Sequence, residues 1–119
     1  MTGKELEDRL ISFAVSAISV SKSLTYGQVS NHLGSQLSRS GTSPALNYAE
    51  ALAAESKKDF THKMKLCLKE LRESLVCMKI IRRAALAKNE ANINSIMNEN
   101  SELIAIFIAS INTIESRNS

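Results

Sequence analysis

Between Phe60 and Ala85 the chain places Phe60, Met64, Cys67, Leu71, Ser74, Met78, Ile81 and Ala85 at alternating steps of four and three. That spacing returns to one side of an α-helix, and it is the seam along which long, nearly antiparallel helices bury one another. Leu6, Leu10, Phe13, Ala17, Val20 and Leu24 repeat it near the N-terminus, and Ile93, Met97, Asn100, Ile104, Phe107, Ile111 and Ile114 near the C-terminus. Only Ser74 and Asn100 interrupt these three seams. Folds of many short strands need frequent turns, and 4 glycines and 1 proline in 119 residues do not supply them.

Helix starts are marked by a Ser or Thr followed three residues later by a side chain able to reach back to the cap. Thr2 with Glu5, Thr25 with Gln28 and Ser56 with Asp59 fit, and the first two add apolar staples, Met1 with Leu6 and Leu24 with Val29. A fourth start falls near Asn89 and Glu90. The helices are expected at 3–23, 26–54, 57–87 and 90–116. The short connections force neighbours to run antiparallel, so the fold expected is all-α: one domain over residues 1–119, an up-down-up-down four-helix bundle.

The second helix departs from the apolar pattern. Gln36, Ser40, Ser43, Asn47 and Glu50 share one of its faces, and Pro44 removes the N–H that Ser40's carbonyl would accept. Two readings stand: a kinked helix whose buried polar groups bond to the third helix or to that freed carbonyl, or a polar surface held for a partner subunit or ligand.

Motifs carry little catalytic chemistry. A di-iron bundle needs paired Glu-x-x-His motifs, and only Asp59 with His62 comes near. Phosphate-binding glycine loops and zinc-ligand pairs are missing. Neither His32 nor His62 stands behind an Arg at the spacing of a helical nuclease. Cys67 and Cys77, ten residues apart on one helix, lie about 15 Å from each other, too far for a disulfide, and read as small buried apolar groups. The expectation is therefore no enzyme, no cofactor and no metal. The longest apolar run, Leu103 to Ala109, is 7 residues and does not span a membrane. Acids begin at once in MTGKELEDRL, unlike a signal peptide, so a cytoplasmic location is expected.

The net charge of +3 hides a division: residues 56–88 hold ten basic and three acidic side chains, and the rest of the chain five and nine. On a helix, Lys58, Lys65, Lys69, Arg72, Lys79 and Arg83 fall within an arc of about 80° and extend over about 38 Å. Either this is a solvated face, partly neutralised by Glu73 next to Lys69 and by acids of a neighbouring helix or subunit, or it contacts phosphates of RNA or DNA. Aromatics are 4% of the chain and none interleaves the stripe, so any such contact follows backbone charge and not base identity. Ile11, Val15 and Ile18 point away from the first helix's seam, and Ile106 and Ile108 flank Phe107 on the fourth; both apolar faces are assigned to contacts between copies of the chain.

From Gln36 to Phe60 the sequence reads QLSRSGTSPALNYAEALAAESKKDF, followed by THKMKLCLKELRES. Arg39 and Ser40, then Asn47, Tyr48, Glu50 and Ala51, then Ser56 to Asp59 and Phe60, together with Lys69, Glu70 and Glu73, resemble the hallmark of the bacterial four-helix-bundle proteins encoded in intervening sequences of large-subunit ribosomal RNA genes. The resemblance implies a homo-oligomer, a pentameric ring of bundles. It also implies kinship with the accessory variability protein of diversity-generating retroelements, a basic bundle that partners a reverse transcriptase and nucleic acid. No biochemical activity is established for the intervening-sequence branch. Pro44 departs from the family pattern, as does the weakly basic total charge.

Overall fold

A computed structural model describes residues 1–117 and places four helices in them: α1 (Gly3–Lys22), α2 (Gln28–Leu52), α3 (Lys57–Arg83) and α4 (Glu90–Arg117). The bundle measures 48 × 22 × 21 Å. Neighbours run antiparallel: Glu50, Pro44, Ser40 and Leu33 of α2 meet Lys63, Cys67, Ser74 and Cys77 of α3, in reverse order. Helix α1 packs on α2 and α4, as does α3, so α1 and α3 lie across the diagonal.

Three of the four caps form as the sequence predicts. Thr2 Oγ1 accepts from Glu5 N at 3.1 Å, Ser56 Oγ from Asp59 N at 3.0 Å, and Asn89 Oδ1 from Asn92 N at 3.0 Å. Thr25 does not cap α2. Its own N–H donates to Leu86 O at 2.9 Å, beside an isolated bridge between Leu24 and Ala87, and its hydroxyl meets Ser30 Oγ at 3.2 Å. The chain enters α2 two residues later through Gly27, whose φ of 146° suits only glycine. Val29 is consequently exposed, at 62%, and the Leu24–Val29 staple does not close.

Helix α3 also ends four residues sooner than expected. Ala85 takes φ 58°, Ala85 N donates to Arg82 O, and Leu86 N reaches back to Ile81 O, a Schellman closure that satisfies the last carbonyls. Ala85 is therefore exposed instead of completing the α3 seam. On α4, Leu103 is buried where Ile104 was expected; Ile104 is half-buried.

The core of α2 is built from small residues. Ser30, Gly34, Leu37, Gly41, Pro44, Tyr48 and Ala51 are buried, at steps of four and three. Of the polar stripe expected there, only Ser40 is buried, while Gln36 and Glu50 are exposed and Ser43 and Asn47 half-buried. The other four stripe residues each stand one position before a seam residue, about 100° off the core direction. Glycine at 41 lets α1 approach closely: a Cβ there would lie 2.4 Å from Ala17 Cβ. Helix α2 runs unbroken across Pro44, whose carbonyl accepts the Cys67 thiol at 3.4 Å.

Two polar cross-links interrupt the apolar core, which includes the fully buried Leu10, Phe13, Leu71, Met78 and Phe107. Ser74 Oγ lies 3.1 Å from Ser40 Oγ and 3.0 Å from Glu70 O. Asn100 Nδ2 donates across the bundle to Leu71 O at 3.0 Å. Each of these apolar side chains contributes about 1.5–3 kcal/mol by leaving water. Of the polar groups, the Ser40 and Ser74 hydroxyls and Asn100 Nδ2 are bonded, whereas Asn100 Oδ1 is buried without a partner among the described residues.

Candidate nucleic-acid interface

Helix α3 presents its six stripe residues to solvent because its opposite side is committed to the core. Lys58, Lys65, Lys69, Arg72, Lys79 and Arg83 are all exposed. Lys65 Nζ lies 3.5 Å from Glu115 of α4; the other five have no ion pair among the described residues. Glu73 does not pair with Lys69. Arg39 of α2 takes it, together with Glu70 at 3.0 Å, and Lys63 takes Glu50 at 3.3 Å. The acids nearest the stripe are thus consumed along the α2/α3 seam, and the outer face keeps its positive charge. Val76, which the charge pattern hides, stands at the centre of the same arc and is 55% exposed.

The hallmark residues sit elsewhere: Arg39, Ser40 and Glu50 fasten α2 to α3, while the others order α2 itself, the start of α3 or the contact with α4. Arg39 forms the forked pair just described, and Ser40 meets Ser74. Asn47 Nδ2 donates to Ser43 O at 3.1 Å and to Ser43 Oγ at 2.9 Å. The Tyr48 ring meets Phe107 edge to face with centroids 5.9 Å apart. Glu50 holds Lys63, Ser56 caps α3 over Asp59, and Phe60 is half-buried against the core. Asp59 and His62 are both exposed at the start of α3, and among the described residues no group of three or more His, Cys, Asp or Glu is gathered as a metal would need.

Both cysteines are buried and free. Burial pushes the Cys67 thiol up to about 12 and raises that of Cys77, so neither is a ready thiolate. Of the apolar faces, Ile11, Val15 and Ile18 are exposed on the outside of α1, while Ile106 and Ile108 are half-buried and Ile106 packs against its own core. No helix among the described residues is long and apolar enough to cross a membrane.

The architecture defines a class: a four-helix bundle with one basic outer helix and a tightly fastened α2–α3 hairpin. Residues 6–109 match the family described as 23S rRNA-intervening sequence protein, and the chain belongs to that family. A crystal structure of a protein of unknown function from the S23 ribosomal protein family of Bacteroides thetaiotaomicron is similar, with a TM-score of 0.83, 29% identity, and coverage of 94% of this chain and 99% of that one. A comparison with curated proteins finds no match.

Proposed function

We propose that the protein is a non-enzymatic, homo-oligomeric scaffold or accessory protein that binds RNA or DNA through the phosphate backbone, alone or beside a nucleic-acid-processing partner such as a reverse transcriptase. The observation that carries this reading is the α3 stripe, in which five of six cations lack an ion pair among the described residues while Glu70 and Glu73 are turned away to Arg39. Membership of a family described by ribosomal RNA intervening sequences supports a nucleic-acid context. The pentameric ring implied by the family resemblance would repeat the stripe once per subunit.

Fluorescence anisotropy of a labelled single-stranded RNA tests it. With four to six phosphate contacts, log affinity should fall with log salt at a slope of about −3 to −5, with little dependence on sequence. Replacing Lys65, Lys69 and Arg72 by Ala should flatten that slope by about two to three units and leave helicity intact. The rival reading is a protein-interaction module whose stripe pairs with acids of another subunit. It predicts no RNA or DNA binding even at low salt, and a triple variant whose oligomer is loosened.

A further inference from the structure

At the end of the bundle where α1 begins and α4 finishes, the helices line an open recess of about 480 Å³. That lies within the roughly 300–1,000 Å³ of small-molecule sites. Leu6, Phe60, Met64, Ile106 and Ile114 supply apolar wall from α1, α3 and α4, and none of the lining side chains among the described residues is charged. No lining side chain could pair with a ligand charge, so the chemistry favours an uncharged ligand.

Four hydroxyl-bearing residues line this space, and Thr2 and Thr113 are already hydrogen-bonded to backbone. Tyr48 is 4% exposed, and its Oη has no hydrogen-bond partner among the described residues. A Cβ at Gly3 would stand 3.4 Å from that oxygen, so the missing side chain at Gly3 leaves Oη open to the recess. Phe107, edge to face, holds the ring in place. Ser110, across on α4, also lines the recess and is likewise without a hydrogen-bond partner among the described residues. Burial raises the Tyr48 phenol above its ordinary value, so it remains a neutral donor at physiological pH. Tyr48 Oη is open to the solvent in this recess, so a ligand oxygen bonded to it would take the place of a water.

We propose that this recess binds an uncharged small molecule with an apolar body, carrying a hydroxyl or carbonyl oxygen that bonds to Tyr48 Oη. The test uses the full chain, methyl-labelled for NMR and titrated with p-cresol and with toluene, its hydroxyl-free counterpart. The expected result is saturable shifts confined to the methyls of Leu6, Ile106 and Ile114, with a p-cresol dissociation constant below about 1 mM. Tyr48→Phe, which keeps the ring and its contact with Phe107, should weaken p-cresol about fivefold and toluene less than twofold. Ala109→Trp, which closes the recess from its rim, should abolish both while circular dichroism stays unchanged. Linear shifts scattered over the surface, or equal losses for both probes in Tyr48→Phe, would overturn the proposal. So would movement of the same methyls with protein concentration alone, which would assign the recess to a side chain of a second copy.

Discussion

At Gly41 one added methyl group would meet the methyl of Ala17 at 2.4 Å, and neither can rotate away because both are fixed to helical backbone. In an exposed helix interior, glycine to alanine gains up to about 1 kcal/mol. Here α1 and α2 would have to separate, so Gly41→Ala should destabilise by about 1–3 kcal/mol, read as a lower midpoint in urea. Ala85 presents the opposite case. It holds φ 58° at the Schellman position closing α3, where an L side chain costs about 1–2 kcal/mol. Ala85→Gly removes that cost and adds some unfolded-state freedom, so a net gain of about 0.5–1 kcal/mol is expected by the same assay. Cys67 offers a third check at this scale: with its thiol pushed up to about 12 by burial, a thiol reagent at neutral pH should label it only as fast as the bundle opens.

Among the elements, α1, α3 and α4 were legible because large apolar residues announce a seam. Helix α2 was not. Its buried face sets Leu37, Tyr48 and Ala51 among Ser30, Gly34, Gly41 and Pro44, residue types ordinarily read as turn punctuation, so periodicity points instead to the polar residues about 100° away. The error has a physical origin: α2 lies between α1 and α3, and small residues are what admit both helices. The early end of α3 was equally hidden, because a left-handed alanine carries no sequence signature. The recess needed residues from all four helices, which no local spacing reveals, although the basic stripe and the exposed face of α1 were plain from periodicity. The looser α1/α4 contact is latched by Arg9, whose guanidinium grips Glu99 at 2.5 and 2.9 Å and reaches Glu102 at 3.5 Å. The hydrogen bond from Arg9 lowers the Glu99 carboxyl below its ordinary value. A carboxylate with a depressed folded pKa contributes its stability above the unfolded value, near 4.3, and loses it as the pH falls through the folded one. Both side chains are about a third exposed, so solvent screening limits the contribution to at most about 1 kcal/mol. Wild-type protein should therefore lose its advantage over Glu99→Gln between pH 5 and pH 3, and most of it in high salt at pH 7, when thermal midpoints are compared.

For the whole molecule, the diagonal arrangement of α1 and α3 would tie the proposed assembly to the proposed binding. Ile11, Val15 and Ile18 are 49%, 62% and 36% exposed and form one stripe on the outside of α1, directed away from the core. A stripe of that kind favours contact with another chain over contact with water. Light scattering after size exclusion should accordingly give a multiple of 13.0 kDa at micromolar concentration, and Ile11→Glu with Ile18→Glu should reduce it to 13.0 kDa with helicity retained, because no core position is touched. A wild-type mass of 13.0 kDa would sink the assembly claim. Since α1 and α3 do not pack on each other, contacts through α1 leave the basic stripes facing away from the contact, one per subunit. A long RNA would then engage several stripes at once, and linkage between them raises avidity by roughly 10²- to 10⁴-fold without any new contact. The double glutamate variant should therefore lose affinity for a long RNA, while for an RNA short enough to reach a single stripe it should bind as wild type does. Equal loss on both lengths would mean that the α1 face touches RNA itself.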